Sequence, residues 1–181
     1  MTLRKIARLG HPVLRARAAP VGDPTRPEIV RLVTDMIETM RDAGGVGLAA
    51  PQVHEPLRLI VALPIRPDPD AEPPAPLVLV DPELAPLDGE QEDGIEGCLS
   101  IPGLRGVVRR WRRVTWRGRD QDGAPIGGVA EGLLARVLQH EVDHLDGILY
   151  PMRMHDLSLL AFDGELAHLQ ARLSHEGNGT R

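Results

Sequence analysis

Cysteine occurs once in the 181 residues, as Cys98. No intrachain disulfide is available, and a reducing compartment, most simply the cytoplasm, is expected. Lysine also occurs once, as Lys5, against 20 arginines, and aromatic residues make up only 2%. That imbalance reads as a base-composition habit of the source genome and carries no function of its own. No apolar run approaches the length of a membrane span, and residues 1–10 lack the apolar core of a secretory leader. A net charge of -5 gives no global pull toward nucleic acid or anionic lipid, so neither specific DNA nor a membrane is expected as a partner. What is present is 42% hydrophobic and 26% charged. This is ordinary for a soluble protein, and the length suits one domain over residues 1–181 with a real core.

The spacing of apolar residues places the elements. Residues 1–24 read as irregular, punctuated by Pro12, Pro20 and Pro24. Thr25-Arg26-Pro27-Glu28 predicts a helix start with a hydroxyl cap. Ile29, Val33, Met36, Ile37 and Met40 follow at helical spacing until Gly44-Gly45. Residues 57–63 and 77–80 read as strands joined by a surface loop over 64–76 that holds six prolines. Gly106 to Arg119, a turn at Asp120-Gln121-Asp122-Gly123, and Ala124 to Val129 predict a second strand pair. Residues 133–145 predict a helix with few polar faces, closed by Gly147, and therefore central and buried. A last helix is expected over 156–173, with Leu159, Phe162, Leu166, Leu169 and Leu173 on one stripe, and residues from Ser174 onward look frayed. The fold class that results is α+β: small antiparallel sheets around a buried central helix, with further helices toward the N- and C-terminal ends.

That central helix carries His140-Glu141-Val142-Asp143-His144. Positions i and i+4 lie on one helical face, so both imidazoles can grip one metal ion. Glu141 falls beside it, where a carboxylate handles the protons of a water. A catalytic metal held by two histidines needs a third protein ligand and an open position. Cys98 is available as a thiolate; it also reads as a small buried hydrophobe or as a catalytic thiol. Gly45-Val46-Gly47-Leu48-Ala49-Ala50-Pro51-Gln52 reads as a glycine-rich turn after a helix, or as a bed against which a substrate backbone lies close. Its terminal Gln52 can donate to a developing oxyanion. Gln139 and Asp143 flank the histidines and are candidates for orienting the rings. Arg136, one turn before His140, reads equally as a pocket residue or a salt-bridged arginine. Arg105, Arg109, Arg110, Arg112, Arg113, Arg117 and Arg119, interleaved with Trp111 and Trp116, read as an RNA-binding strand or, as the commoner case, a solvated strand face.

Residues 45–52, 96–100 and 139–144 resemble the three signature motifs of peptide deformylases, in the same order and at familiar spacing. His11-Pro12-Val13-Leu14-Arg15 also resembles that family, so the likeness spans nearly the whole chain. The resemblance implies a metallohydrolase that removes the N-formyl group from the N-terminal formylmethionine of newly made polypeptides, releasing formate. It implies that Cys98, His140 and His144 bind one divalent ion, usually Fe2+, with Zn2+, Ni2+ or Co2+ able to replace it; ligand type alone points to Zn2+. It implies Glu141 as general acid and base, with Gln52 and the backbone N–H of Leu99 as oxyanion donors. Val46, Gly47, Arg110, Leu133 and Val137 would line the pocket for the methionine side chain and its neighbours. N-formylmethionyl nascent peptides would be the partners, with weak ribosome contact in addition. Two other readings stand beside it. One is a zincin-like metallopeptidase, whose third ligand usually lies downstream of the helix. The other is a catalytically retired metal-binding paralogue, which would need neither Glu141 nor Gln52.

Overall fold

Two helices lie on opposite faces of one sheet, and strand alternation is the reason. A computed structural model of the chain describes residues 2–64 and 75–171. Strands β1 (Gly47–Ala49), β2 (Leu59–Ala62), β3 (Leu77–Pro86), β6 (Arg113–Arg119) and β7 (Pro125–Glu131) form an antiparallel sheet in the order β1-β2-β3-β6-β7. Strands β4 (Gln91–Cys98), β5 (Ile101–Trp111) and β8 (Leu160–Phe162) form a smaller antiparallel sheet in the order β4-β5-β8. Leu59 and Val61 of β2, with Val78 and Val80 of β3, pack with Ile29, Leu32, Val33, Met36 and Met40 of helix α1 (Pro27–Asp42). The residues between them, Ile60, Ala62 and Leu79, point the other way and pack with Ala135, Leu138 and Leu145 of helix α2 (Gly132–Leu145). Each fully buried aliphatic side chain of this kind contributes roughly 1.5–3 kcal/mol. Helix α2 also meets the smaller sheet, where Gln139 accepts from the Trp111 N–H at 3.0 Å and donates to the Trp111 carbonyl at 2.8 Å.

The ends of α1 show what local sequence decides. Pro27 opens the helix, where no amide is needed, but the expected Thr25 cap is not used. The Thr25 N–H and hydroxyl both donate to Asp23 instead, at 2.9 and 2.7 Å. Gly44, at φ 65°, closes the helix in the left-handed region, and Gly147, at φ 73°, does the same after α2.

Several expectations are corrected. The segment read as one strand from Gly106 to Arg119 breaks at Arg112 into β5 and β6, which belong to different sheets. Strand β4 was not expected at all, and residues 45–52, read as a glycine-rich turn or a substrate bed, hold strand β1 and a 3-10 turn over Ala50–Val53. The helix expected over 156–173 begins only at residue 166; before it, β8 pairs with β5, Leu104 opposite Phe162 and Gly106 opposite Leu160. Its Leu173, the frayed tail from Ser174 and residues 65–74 of the proline-rich loop lie outside the described residues.

The arginine-rich run carries its own anions. Arg109 faces Asp93 across the β4–β5 ladder with two hydrogen bonds of 2.8 Å, and Arg117 faces Glu83 across β3–β6. Arg105 pairs with Asp163, Arg110 with Glu96 and Asp143, Arg112 with Glu90, Arg113 with Asp88 and Arg119 with Asp81. The run is therefore a set of ion pairs rather than an open basic face, and those of Arg109, Arg110, Arg117 and Arg119 with Asp93, Glu96, Glu83 and Asp81 bridge neighbouring strands.

The N-terminal arm has no regular structure but is tied down. The Thr2 and Arg4 amides donate to Asp35 and Thr39 of α1, and the Arg4 guanidinium reaches Asp35 and Glu55. Further on, the Ala7 and Leu9 amides each donate at 2.8 Å to the carbonyls of Gln52 and Ser100.

Candidate metal centre

Cys98 ends β4 at a register shift, so its side chain leaves the ladder and meets α2. Its sulfur lies 3.3 Å from His144 Nε2, and one ligand atom from each of Cys98, His140 and His144 falls within 4.8 Å of the others. The two rings, one helical turn apart, have centroids 5.0 Å apart at 70°. Elements distant in the chain thus bring together the three residues that sequence reading proposed.

His140 is oriented from behind. Its Nδ1 shares a 2.8 Å hydrogen bond with Glu96 Oε2, which leaves Nε2 facing the cluster. Glu96 is in turn held by Arg110 at 2.9 and 3.0 Å and by Arg136 at 3.0 Å. Burial pushes the Glu96 carboxyl up, but His140 and Arg110 outweigh it and bring it down to about 2. Asp143 and Gln139, expected beside the rings, do other work. Asp143 accepts from Arg110 and Arg153, and Gln139 bonds the backbone of Trp111 and Ala135. Sequence reading missed Glu96 as the orienting residue, although it stands two positions before Cys98 in a quoted motif.

Glu141 is buried beside the cluster, with Oε2 unpartnered and its carboxylate close against Gly47. Burial raises its carboxyl to about 7. Gln52 is buried with its orientation set: Oε1 accepts from the Ala49 N–H at 2.8 Å, and Nε2 donates to Ser100 Oγ at 3.2 Å and toward the Cys98 sulfur at 3.5 Å. Val46, Gly47, Leu99, Leu133 and Val137 line a cavity of about 560 Å³ whose wall includes Cys98, His140 and Glu141. Arg110 does not line it. Contrary to the expectation of a pocket residue, it is buried behind Glu96.

The donor set suits a divalent cation. Cys98 and the two imidazoles converge, with His144 Nε2 turned to the sulfur, and the buried Glu141 Oε2 lacks a hydrogen-bond partner. Burial opposes charge on His140, yet Cys98 and Glu96 override it and raise the ring to about 10. Burial and the neighbouring His140 push His144 down. The two rings are thus driven in opposite directions, and the fit rests on the donors themselves: thiolate with imidazole is a first-row transition-metal set.

An α+β frame that holds such a cluster beside a raised carboxyl at a cavity wall defines a class: hydrolases built on one Cys–His–His metal site. The polypeptide deformylase family model matches residues 3–159, and the chain belongs to that family. It is 48% identical over 162 residues to peptide deformylase 2 of Bordetella bronchiseptica, covering 88% of this chain and 92% of that one. It is 43% identical over 170 residues to peptide deformylase 1 of Prochlorococcus marinus, covering 92% and 88%. Among solved structures, the Met-Ala-Ser-bound class I type b peptide deformylase of Acinetobacter baumannii superposes with a TM-score of 0.77 at 37% identity, covering 84% of this chain and 99% of that one. The Thermotoga maritima peptide deformylase gives 0.77 at 36% identity, covering 86% and 100%. Membership displaces the metallopeptidase reading.

Proposed function

We propose that residues 1–181 act as one catalytic domain that hydrolyses the N-formyl group of formylmethionine at the start of nascent polypeptides, releasing formate. The observation that carries this reading is the convergence of Cys98, His140 and His144 with Glu141 beside them at a cavity wall. Cys98 Sγ and Nε2 of each histidine would hold one divalent ion, Fe2+ by family likeness, with Zn2+, Ni2+ or Co2+ compatible with the same donors. When bound, the ion supplies Lewis acidity toward water and the formyl oxygen.

The remaining steps belong to the chain. A carboxyl near 7 exchanges protons at neutral pH, so Glu141 takes one from the attacking water and returns it to the departing amine. Gln52 would turn to the oxyanion the amide N–H that now points toward the Cys98 sulfur, keeping its bond to Ser100, and the Leu99 N–H is the second donor. Val46, Gly47, Leu133 and Val137 receive the methionine side chain and its neighbours, and Gly47 lets the peptide backbone lie close. A peptide-bound relative supports a peptide as the guest. A purely structural site would need neither Glu141 nor Gln52, and their presence argues for an active enzyme over a retired paralogue. We place the reaction in the cytoplasm, where polypeptides begin. Among the described residues no helix is long and apolar enough to cross a membrane.

Formate release from formyl-Met-Ala-Ser by anaerobically purified protein, with metal measured on the same sample, tests the reading. Glu141→Ala should keep its metal and lose about 10²–10⁴-fold in turnover. Unchanged deformylation by that variant would refute the mechanism.

A further inference from the structure

Arg136 is 7% exposed and one helical turn before His140. Its guanidinium leaves α2 and enters the smaller sheet. Nη1 donates to the Val108 carbonyl of β5 at 2.7 Å, to Glu96 Oε1 at 3.0 Å and, at a longer 3.4 Å, to the Gly94 carbonyl of β4. Nη2 donates to the Glu92 carbonyl at 3.0 Å. One side chain therefore grips β4 at three places, all within six residues of Cys98, while standing four residues from His140 on the other ligand-bearing element.

We infer that Arg136 is a positioning residue of the metal centre: it sets the distance between the strand that carries Cys98 and the helix that carries His140 and His144. The inference rests on the metal-site reading above. A planar guanidinium suits the task because its donors radiate in one plane at fixed angles, and lysine offers a point charge without that fork. Two features separate this from a general packing role. Glu96, which Arg136 bonds directly, is the residue that orients His140. And β4 has given way to the guanidinium at Gly94, where an added Cβ would stand 2.6 Å from Arg136 Cζ and Nη2. Without Arg136, the Glu92 and Val108 carbonyls lose their side-chain donor, and β4 is free to drift from α2 with the sulfur attached.

The test uses the protein loaded with Co2+ and challenged with excess chelator, at a temperature well below unfolding. Loss of the thiolate-to-cobalt absorption is followed together with released Co2+. Arg136→Lys and Arg136→Ile should each lose metal about 10–100-fold faster than the parent, the usual cost of removing an outer partner of a metal ligand. Ile29→Val, which thins the core on the far face of the larger sheet, should lower Tm and leave that rate unchanged. Gly94→Ala should accelerate loss in the parent and add nothing in the Arg136→Ile background, because the group it displaces is gone. Metal loss at the parental rate in both Arg136 variants, or full additivity with Gly94→Ala, overturns the inference while leaving the metal centre intact. If Arg136→Ile does not fold, Arg136→Lys and Gly94→Ala alone decide. A parent that takes up no Co2+ with thiolate absorption overturns the metal-site reading itself and the inference with it.

Discussion

Gly47 and Glu141 share one small volume, and no larger residue fits at position 47 without moving the carboxylate. Gly47→Ala should therefore keep the metal, since the atoms nearest an added Cβ all belong to Glu141, but displace Glu141. A displacement near 1 Å costs on the order of a hundredfold in rate, visible as a fall in kcat at unchanged metal content. A parental kcat would show that Glu141 has room to spare and is not the proton carrier. At this scale the candidate site was largely legible in the sequence. Its reactive atoms sit in three short stretches whose residue types have narrow chemical uses: two histidines a turn apart, one cysteine, one glutamine after glycines. The supporting residues were not legible. Glu96 reaches His140 across 44 positions and Arg110 reaches Asp143 across 33, and no local spacing announces such a pairing. Arg110 was placed in the pocket by the family resemblance, and only its buried partners Glu96 and Asp143 show that it stands behind the site.

Elements with strong periodicity emerged close to where expected: α1, α2 and the β2–β3 pair, with the β6–β7 hairpin formed by only the second half of the strand read from Gly106 to Arg119. Strand β4 was hidden because its sequence is acidic and glycine-bearing; it pairs through Arg109–Asp93 and Arg110–Glu96 contacts rather than an apolar stripe. Strand β8 was hidden inside a leucine spacing that also suits a helix, and pairing with β5 overrode that preference. The N-terminal arm gives a prediction at this scale. Burial pushes the Asp35 carboxyl up, but the Thr2 N–H and the Arg4 guanidinium pull it further down, below its ordinary value. A carboxyl lowered in the folded state adds stability above its unfolded pKa of about 4, and that contribution disappears as pH falls through the folded value. Asp35→Asn should accordingly melt below the parent near neutral pH, and the gap should close as the pH drops under about 4. Thermal melts of both proteins across pH 3–8 check this, and a gap that widens in acid would reverse the sign.

For the whole molecule, an ion held by Cys98, His140 and His144 would tie the smaller sheet to α2. An ion at about 100 times its dissociation constant stabilises the native state by about 2.7 kcal/mol, and a chain of this size shifts by about 2–4 °C per kcal/mol. Chelation should lower Tm by roughly 5–10 °C, and adding Co2+ or Zn2+ back should restore it. An unmoved Tm would mean that the three ligands are already clamped without the ion. Another consequence follows from β1, which ends its sheet and has a strand along one margin only; the other lies beside the cavity, with its Ala49 N–H taken by Gln52. A visitor laid along that margin would be gripped by amides and carbonyls that every amino acid owns. Such a grip would hold a guest by its backbone, whatever side chains follow its first residue.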